Sequence, residues 1–586
     1  MKTQTQHALN RFLGFLLLIT AFVIQTKAQS ADNKTEPVIT CPGQQLPYPR
    51  QEPLYNGKIK RDLGPFETAL KNFEPIASQV ATLVSGKSIP ELQKLMKQKK
   101  LSSVQLLLHY LSRIKKYDLD KLNAILELNP DALTIAAALD QERASGKTRG
   151  PMHGIPILLK DNIATGDQLH TAAGSAAMFN WRPKRDAFLA AQLRKAGALI
   201  MGKSNLSEWA NYMDPCMPSG FSTTGGQTRN PYGPFDTWGS SSGSAVAVAA
   251  DLVTVSVGSE TQGSIIAPAG INSVVGLKTS MGLVSRDYVI PLLGFQDVPG
   301  PMGKTVTDVA IMLTAMTGTD ANDQATNNAK SLAGTDFSKY AKPGAAKGLK
   351  VGVSYLTDEE ITTLLEKNKN MTPERKESVR KFYEDDRNSV MNMTKVLEAA
   401  GIKVVKFPRE AYPGRLSDIS KSLQYGFKED LNHFLQSLGS NAPFASMADI
   451  IAYNNADLKN RAPYGQGYLI AANDTKITAE QFADMREKNI SKAQHGIDSL
   501  LQAYGLDLIF SSVNQVYAPA GYPAISIPSG YDAKGSPTNA VFVGTYLSEP
   551  KLLAVGYAVE QGLHAWKAPD LDKTMKLIEE IKRINY

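Results

Sequence analysis

From residue 150 onward, short apolar runs alternate with helical patterns. The apolar runs include IPILLK (155–160), ALIM (198–201) and VTVSV (253–257), and DAFLAAQLRKAG (186–197) is one of the helical patterns between them. Buried strands are near-continuous apolar runs, and strands that alternate with helices are typical of sheets packed against helices. The pattern therefore predicts an α/β protein with a largely buried sheet.

Two further regions show helical periodicity. Residues 104–117 carry apolar side chains at helical spacing, and Ser102 or Ser103 is a candidate cap for the start of that helix. Residues 357–500 contain charged helical stretches and few glycines, whereas residues 520–562 return to strand, turn, strand and helix. We therefore predict a helical insertion at about 357–500 within the same domain.

The N-terminus has the pattern of a secretory signal peptide. Lys2 and Arg11 precede an apolar run, and a small-residue exit ends at Ala28. The run has about 13 residues, which is short for a membrane span, and an uncleaved anchor is the alternative. We expect residues 1–28 to be removed, which predicts a periplasmic or secreted protein with no stable membrane insertion after cleavage.

Beyond the signal peptide we expect an extended arm and one domain. Residues 29–60 are rich in Pro, Gln and charge, and residues 61–586 form the predicted domain. Cys41 and Cys216 are the only two cysteines, which are too few for a disulfide scaffold. One bridge between them and two unrelated thiols are both compatible with this count.

The charge pattern and the histidines set limits on binding partners. The formal net charge is +8, but the basic residues are dispersed and form no stripe with interleaved aromatic residues. We therefore expect no nucleic-acid partner. His153 and His170 flank the strand that ends at Lys160, but neither has a second ligand at useful spacing, so we expect no metal and no cofactor.

Two short motif matches fail on their structural context. The segment from Gly197 to Ser204 satisfies GxxxxGK[ST], but a phosphate-binding loop follows a strand, and here a helical pattern comes first and apolar residues fill the loop. Residues 239–243 satisfy GxSxG, which would make Ser241 the nucleophile of an α/β-hydrolase. That motif also needs a strand before it and an oriented histidine after it, and the lead-in is turn-rich. We favour neither interpretation.

Three other segments carry a more specific signal when they are taken together. They are HGIPILLKDNI, which contains Lys160, GSSSGS at 239–244, and GSETQGSI at 258–265. Together they resemble the amidase signature family of serine amide hydrolases, and the resemblance is dense over residues 89–318 and returns over residues 505–561. It implies an amide hydrolase whose central mixed β-sheet is covered on both faces by helices, with a helical insertion.

The resemblance also assigns the catalytic residues. The family pattern G-G-S-S-G-G-S places a bridging serine on Ser240, and G-T-D-T-G-G-S places the nucleophile on Ser264, 24 residues further on. The family's catalytic lysine corresponds to Lys160. In the family the bridging serine lies on a cis peptide bond and relays the proton. A buried lysine has a lowered pKa and can act as the base, which makes Ser-Lys arrangements a variant of the catalytic triad.

Amide hydrolysis also needs donors for the oxyanion that forms on the substrate. We expect these to be backbone amides of the turn around the nucleophile, namely those of Thr261, Gln262, Gly263 and Ser264. Ser241 is expected to support the network by hydrogen bonding within it.

Two departures from the family pattern bear on the substrate. Many relatives have a second glycine before the nucleophile and an arginine two residues after it, where this chain has Gln262 and Ile266. Because such an arginine can bind a substrate carboxylate, Ile266 argues against free-acid substrates. The segments are most similar to the peptide amidase branch, which removes ammonia from C-terminally amidated peptides.

The sequence therefore predicts an exported amidase that acts on a small-molecule or peptide amide. Amides of aryl or fatty acyl groups are alternatives, as is the glutaminase subunit of a tRNA amidotransferase, against which the signal peptide and Ile266 count. A non-catalytic binding protein on the same fold is the alternative from another class. We expect the pocket walls to come partly from the helical middle and partly from loops around Ser219 and Gln515. The sequence leaves the oligomeric state open.

Overall fold

The computed structural model describes residues 61–585 with the exception of Lys369, Ser417 and Ser512. The predicted signal peptide (1–28) and arm (29–60) lie outside the described residues, as does Cys41. Cys216 is disulfide-bonded.

The described residues contain one large mixed sheet of 11 strands and a short two-stranded hairpin. Along the large sheet the strand order is β1-β3-β2-β6-β8-β7-β12-β13-β11-β9-β10, and β4 pairs with β5 in the hairpin. In chain order the strands are β1 (Ile125–Leu128), β2 (Pro156–Lys160), β3 (Leu199–Ser204), β4 (Phe221–Ser222), β5 (Gly226–Gln227), β6 (Val255–Glu260), β7 (Val275–Lys278), β8 (Val298–Gly303), β9 (Lys350–Val353), β10 (Lys403–Lys406), β11 (Leu508–Phe510), β12 (Ala524–Tyr531) and β13 (Pro537–Val543).

Helices cover both faces of this sheet, which confirms the fold class expected from the sequence. They are α1 (Glu67–Val84), α2 (Ile89–Lys97), α3 (Ser103–Tyr117), α4 (Ala132–Ala144), α5 (Phe188–Lys195), α6 (Glu208–Asn211), α7 (Ser242–Ala249), α8 (Ile266–Ile271), α9 (Val306–Met316), α10 (Asp358–Lys367), α11 (Pro373–Ala399), α12 (Ile419–Ser437), α13 (Met447–Asn455), α14 (Leu458–Arg461), α15 (Gly467–Asn473), α16 (Ala479–Tyr504), α17 (Glu549–Leu563) and α18 (Leu571–Asn585). Among the described residues, no helix combines the length and the hydropathy needed to cross a membrane.

The apolar runs of the sequence form the central strands. Every residue of β2, β3, β6 and β8 is buried, as expected for strands of a sheet that is covered on both faces. The strand β2 runs parallel to β3 and β6, whereas β8 pairs antiparallel with β6 and β7. Because β2 and β6 are parallel neighbours, their carboxyl ends meet at one edge of the sheet, and that edge carries the site described below.

Local sequence signals explain two further elements. Ser102, one of the two candidate caps, accepts a hydrogen bond from the backbone amide of Gln105 and begins α3. The phosphate-loop match at 197–204 forms the strand β3 instead, after a left-handed glycine at Gly197 that ends the helical segment before it. Its lysine, Lys203, is buried, and its amine donates to Ile163 O and Thr171 Oγ1, so it is not available to a phosphate.

The region from 357 to 500 contains α10 to α15 and most of α16. One element differs from the purely helical pattern, because residues 403–406 form β10, which pairs in parallel with β9 at the edge of the large sheet. The sequence KVVK is too short to show strand periodicity, and its pairing with β9 is a tertiary contact that the sequence pattern does not contain.

Close packing at Gly243 on α7 gives a test of the fold around the site. A Cβ atom there would lie 2.4 Å from both Ala124 O and Asn205 O, which are backbone atoms that cannot move aside locally. We expect Gly243→Ala to lower the free energy of unfolding by about 1–3 kcal/mol. Gly414→Ala is the matched control, because nothing lies within 4 Å of that position. Equal denaturant midpoints for the two variants would contradict this description of the packing.

Candidate active site

The amine of Lys160 lies at the carboxyl end of β2 and is completely buried. Its Nζ is 2.7 Å from Ser240 Oγ, 3.0 Å from Ser241 Oγ and 3.1 Å from Ser259 O. Burial lowers the pKa of Lys160 from 10.5 to about 7, and the negative charges of Asp297 and Glu260 partly oppose this shift. A large fraction of the amine is therefore neutral near pH 7, where it can accept a proton.

The three contacts of the amine identify the group that can give it this proton. A neutral amine has two N–H donors and one lone pair. Ser259 O can only accept a hydrogen bond, and the hydroxyl of Ser241 donates its own proton to Ser259 O at 3.0 Å, so it too accepts from the amine. Ser240 is the remaining partner, and its hydroxyl can donate to the lone pair. Of the three partners of the amine, Ser240 is thus the one whose hydroxyl can donate to it.

Ser240 lies in the loop that leads into α7, and the peptide bond between Gly239 and Ser240 is cis. The loop is tied to its surroundings by backbone hydrogen bonds. The amide of Ser207 donates to Ser240 O at 3.0 Å, and the amide of Ser241 donates to Ser264 O at 3.2 Å. The second of these bonds joins the loop to the turn that carries the predicted nucleophile.

Ser264 lies on the turn between β6 and α8, and its residue surface is 7% exposed. Its hydroxyl makes no hydrogen bond to another described residue, so the step from Ser240 to Ser264 is not a formed hydrogen bond in this structure. Catalytic hydrogen bonds are often long in enzymes without substrate and tighten in the complex. The structure brings Lys160, Ser240 and Ser241 into one hydrogen-bonded group and places Ser264 beside it.

The turn around Ser264 is shaped by the carboxylate of Glu260, the last residue of β6. Its Oε1 accepts a hydrogen bond from the amide of Gly263 at 2.7 Å, and its Oε2 accepts from the amides of Ile265 at 2.8 Å and Ile266 at 3.0 Å. One buried carboxylate therefore satisfies three backbone donors and fixes the path of the chain on both sides of Ser264.

These bonds correct the expectation for Gly263. Its amide already donates to Glu260, so it is not available to an oxyanion. The amides of Thr261, Gln262 and Ser264 donate to no acceptor among the described residues. The structure thus leaves three of the four expected donors free, and Gly263 instead provides the left-handed conformation of the turn, with a φ of 80°.

A second carboxylate, that of Asp297, holds the start of the same turn. Its Oδ1 accepts a hydrogen bond from Thr261 Oγ1 at 2.5 Å, and its Oδ2 accepts from the amides of Leu292 at 2.7 Å and Leu293 at 2.9 Å. Burial raises the pKa of Asp297 to about 6, against the opposing effect of these hydrogen bonds.

Neither carboxylate was inferred from the sequence. The sequence contained a signal for Glu260, because an acidic residue at the end of a buried strand must find buried hydrogen-bond donors. The sequence contained no such signal for Asp297, because its contacts join segments that are distant in the chain. The phenol of Tyr517 also lies near Glu260, and burial together with that negative charge raises the pKa of Tyr517 well above its ordinary value.

The two loops expected to line the pocket lie in different surroundings. The carboxamide of Gln515 lies against the nucleophile turn, with its Nε2 3.2 Å from the position a Cβ atom would take on Gly263. Ser219 donates to Asn211 Oδ1 at 3.5 Å, and it makes no hydrogen bond to Lys160, Ser240 or Ser264. Ile266 is buried in the apolar cluster that also contains Val516.

The two histidines that flank β2 in the sequence have structural partners. Nε2 of His153 lies 2.9 Å from Leu139 O, and Nδ1 of His170 lies 2.8 Å from Glu127 Oε1. Within the part of the chain that the structure describes, no group of three or more His, Cys, Asp or Glu residues could hold a metal ion.

Comparison with known proteins agrees with this geometry. The sequence model of the family described as Amidase matches residues 105–553. This chain belongs to the amidase signature family. It is similar to a probable amidase of Arabidopsis thaliana, with 37% identity over 82% of this chain and 91% of the plant protein. It is also similar to a glutamyl-tRNA(Gln) amidotransferase subunit of Rippkaea orientalis, with 32% identity over 82% of this chain and 99% of the cyanobacterial protein.

Among solved structures, the amidase fold of this chain matches that of the native peptide amidase from Stenotrophomonas maltophilia. The TM-score is 0.73 at 38% sequence identity, and the match covers 83% of this amidase and 99% of the peptide amidase. The prediction of an amide hydrolase is therefore confirmed at the level of the family.

The buried amine predicts the pH dependence of this amidase. Because the family resemblance assigns the role of base to Lys160, whose neutral form accepts the proton, we expect kcat/KM for a hydrolysed amide to rise with pH through a value of about 7. Asp297→Asn removes a charge that raises the pKa of Lys160. In this variant the rise of kcat/KM with pH should therefore occur at lower pH. Asp532→Asn, at an exposed loop carboxylate, is the matched control. If kcat/KM of Asp297→Asn rises at the same pH as that of the wild type, or at higher pH, this pH dependence cannot be assigned to Lys160.

Proposed function

We propose that this protein is an exported amidase that hydrolyses a neutral carboxamide, in particular the C-terminal amide of a peptide, to a carboxylate and ammonia. The observation that carries the catalytic part is the buried amine of Lys160, 2.7 Å from Ser240 Oγ and beside the turn that presents Ser264. The family membership shows amide hydrolysis in general, and the finer claims on substrate and export are our proposal.

In the proposed mechanism, Ser264 Oγ attacks the carbonyl carbon of the substrate. Its proton passes to Ser240, whose own proton passes to the neutral amine of Lys160. The carbonyl oxygen becomes an oxyanion that accepts hydrogen bonds from the free amides of Thr261, Gln262 and Ser264. Such a donor contributes about 3–4 kcal/mol to transition-state stabilisation.

The tetrahedral intermediate then collapses to an ester on Ser264. The C–N bond breaks, and the leaving nitrogen takes up the proton held by Lys160 through the same serine bridge, so ammonia departs. A water molecule attacks the ester with Lys160 again as the base. The acid product leaves, and the hydroxyl of Ser264 and the neutral amine are restored.

Two observations support a neutral substrate. Ile266 occupies the position where many relatives carry an arginine, and it is buried among apolar side chains. Arg286, which is near Asp297 in the chain, donates to both carboxylate oxygens of Asp323 and is not free to bind a substrate carboxylate. The similarity to a peptide amidase supports peptide amides within this class. Aryl and fatty acyl amides are the alternatives.

A panel of amides tests the substrate class and the nucleophile together. We expect ammonia release from amidated dipeptides to exceed that from aryl amides, long-chain acyl amides and free glutamine. Ser264→Ala should reduce kcat by at least about 10³-fold, because the attacking group is lost. Ser242→Ala is the matched control, because Ser242 begins α7 and its hydroxyl donates to Trp238 O, and this variant should keep most of the activity.

Mass spectrometry of the intact protein after brief mixing with a substrate should show the acyl group on the wild type and not on Ser264→Ala. A Ser264→Ala protein as active as the wild type would overturn the proposed nucleophile. A wild-type protein that binds amides without turnover would favour the binding-protein alternative.

Export has its own test, because it rests on the N-terminal pattern alone. When the full chain is produced in a bacterial host with a general secretion system, we expect the protein in the periplasmic or culture fraction with Gln29 as its first residue. N-terminal sequencing of that fraction gives the cleavage site. A chain that remains in the membrane with Met1 in place would instead support the uncleaved anchor.

A further inference from the structure

Gln515 is a polar side chain beside the nucleophile turn that the catalytic mechanism does not use. Its Nε2 lies 3.2 Å, and its Cδ and Oε1 lie 3.6 Å, from the position that a Cβ atom would take on Gly263. The whole carboxamide group therefore covers the glycine next to Ser264. Gln515 as a residue is exposed to solvent, and its side chain makes no hydrogen bond to another described residue.

The backbone around Gln515 is held in a conformation that non-glycine residues seldom adopt. Asn514 and Gln515 have φ values of 55° and 60°. A left-handed conformation costs about 1–2 kcal/mol for each such residue, so the surroundings must enforce it. Asn514 Nδ2 donates to Pro413 O at 2.9 Å on one side, and Val516 and Tyr517 are buried in the core on the other.

The position of Gln515 relative to the expected oxyanion donors constrains where the rest of a bound substrate can lie. A scissile carbonyl group that reaches the amides of Gln262 and Ser264 must lie over the turn between them, which Gly263 forms. In a peptide amide the next peptide group begins one Cα away, and adjacent Cα atoms are about 3.8 Å apart. That peptide group can thus lie within hydrogen-bonding distance of the Gln515 carboxamide.

We propose that Gln515 is a substrate-binding residue that hydrogen-bonds the peptide group adjacent to the scissile carboxamide. A carboxamide offers both N–H donors and a C=O acceptor, and so it matches the C=O and N–H of a peptide group. This inference rests on the proposed function, and it adds a reason why peptide amides are preferred to amides that lack this group.

A matched pair of substrates separates recognition from catalysis. N-acetylphenylalaninamide contains the adjacent peptide group, whereas 3-phenylpropanamide has the same ring and the same scissile amide without it. We expect Gln515→Leu to lower kcat/KM for the first substrate by about 10-fold and to change the second by less than about 2-fold, since a lost hydrogen bond in a site is of this size. Gln502→Leu, at an exposed position of α16, is the control and should change neither.

Binding without turnover provides a second measurement. In the Ser264→Ala background, Gln515→Leu should weaken the Kd for N-acetylphenylalaninamide, measured by calorimetry, by about the same factor. Gln515→Ala repeats both measurements if the leucine variant does not fold. Equal losses on the two substrates, or unchanged kcat/KM and Kd, would overturn the role of Gln515. A wild-type protein that hydrolyses neither substrate would instead refute the proposed function on which the inference rests.

Discussion

The site depends on the burial of the Lys160 amine away from water. A charged amine in an apolar interior is disfavoured by several kcal/mol unless a counter-ion lies against it. Among the described residues no carboxylate does so, because Glu260 and Asp297 direct their oxygens to backbone amides and to Thr261. The two acids act on the amine only at a distance. The pKa of Lys160 therefore settles at about 7, where the amine is available as a base without an ion pair to break.

Two other buried lysines differ from Lys160 in the partners of their amines. Lys203 donates to Ile163 O and Thr171 Oγ1, and Lys278 donates to Tyr522 O at 2.8 Å. Burial lowers the pKa of both, that of Lys278 to about 8. What distinguishes Lys160 is that its partner hydroxyl, that of Ser240, lies in the loop tied to the nucleophile turn. In the proposed mechanism, the serine-rich loop is therefore the element that connects the buried amine to Ser264.

The residues at the centre of the site were implied by the resemblance to the amidase signature family, which three ordered motifs of the sequence carry. The α/β class and the long helices also followed from local apolar periodicity. Contacts between distant segments could not be inferred. The use of the Gly263 amide by Glu260, the support of Thr261 by Asp297, and the position of Gln515 all depend on how strands and loops meet after folding. The same holds for β10, whose four residues become a strand only through pairing with β9.

Titration of Lys160 near neutrality is the property that can be measured without any substrate. NMR titration of the protein labelled with ¹³C at lysine Cε, with the resonance assigned by its absence in Lys160→Met, gives this pKa directly. We expect a midpoint at about 7, well below the ordinary value of 10.5. A Lys160 midpoint close to 10.5 would mean that the amine is charged at neutral pH, and it would contradict its role as the base.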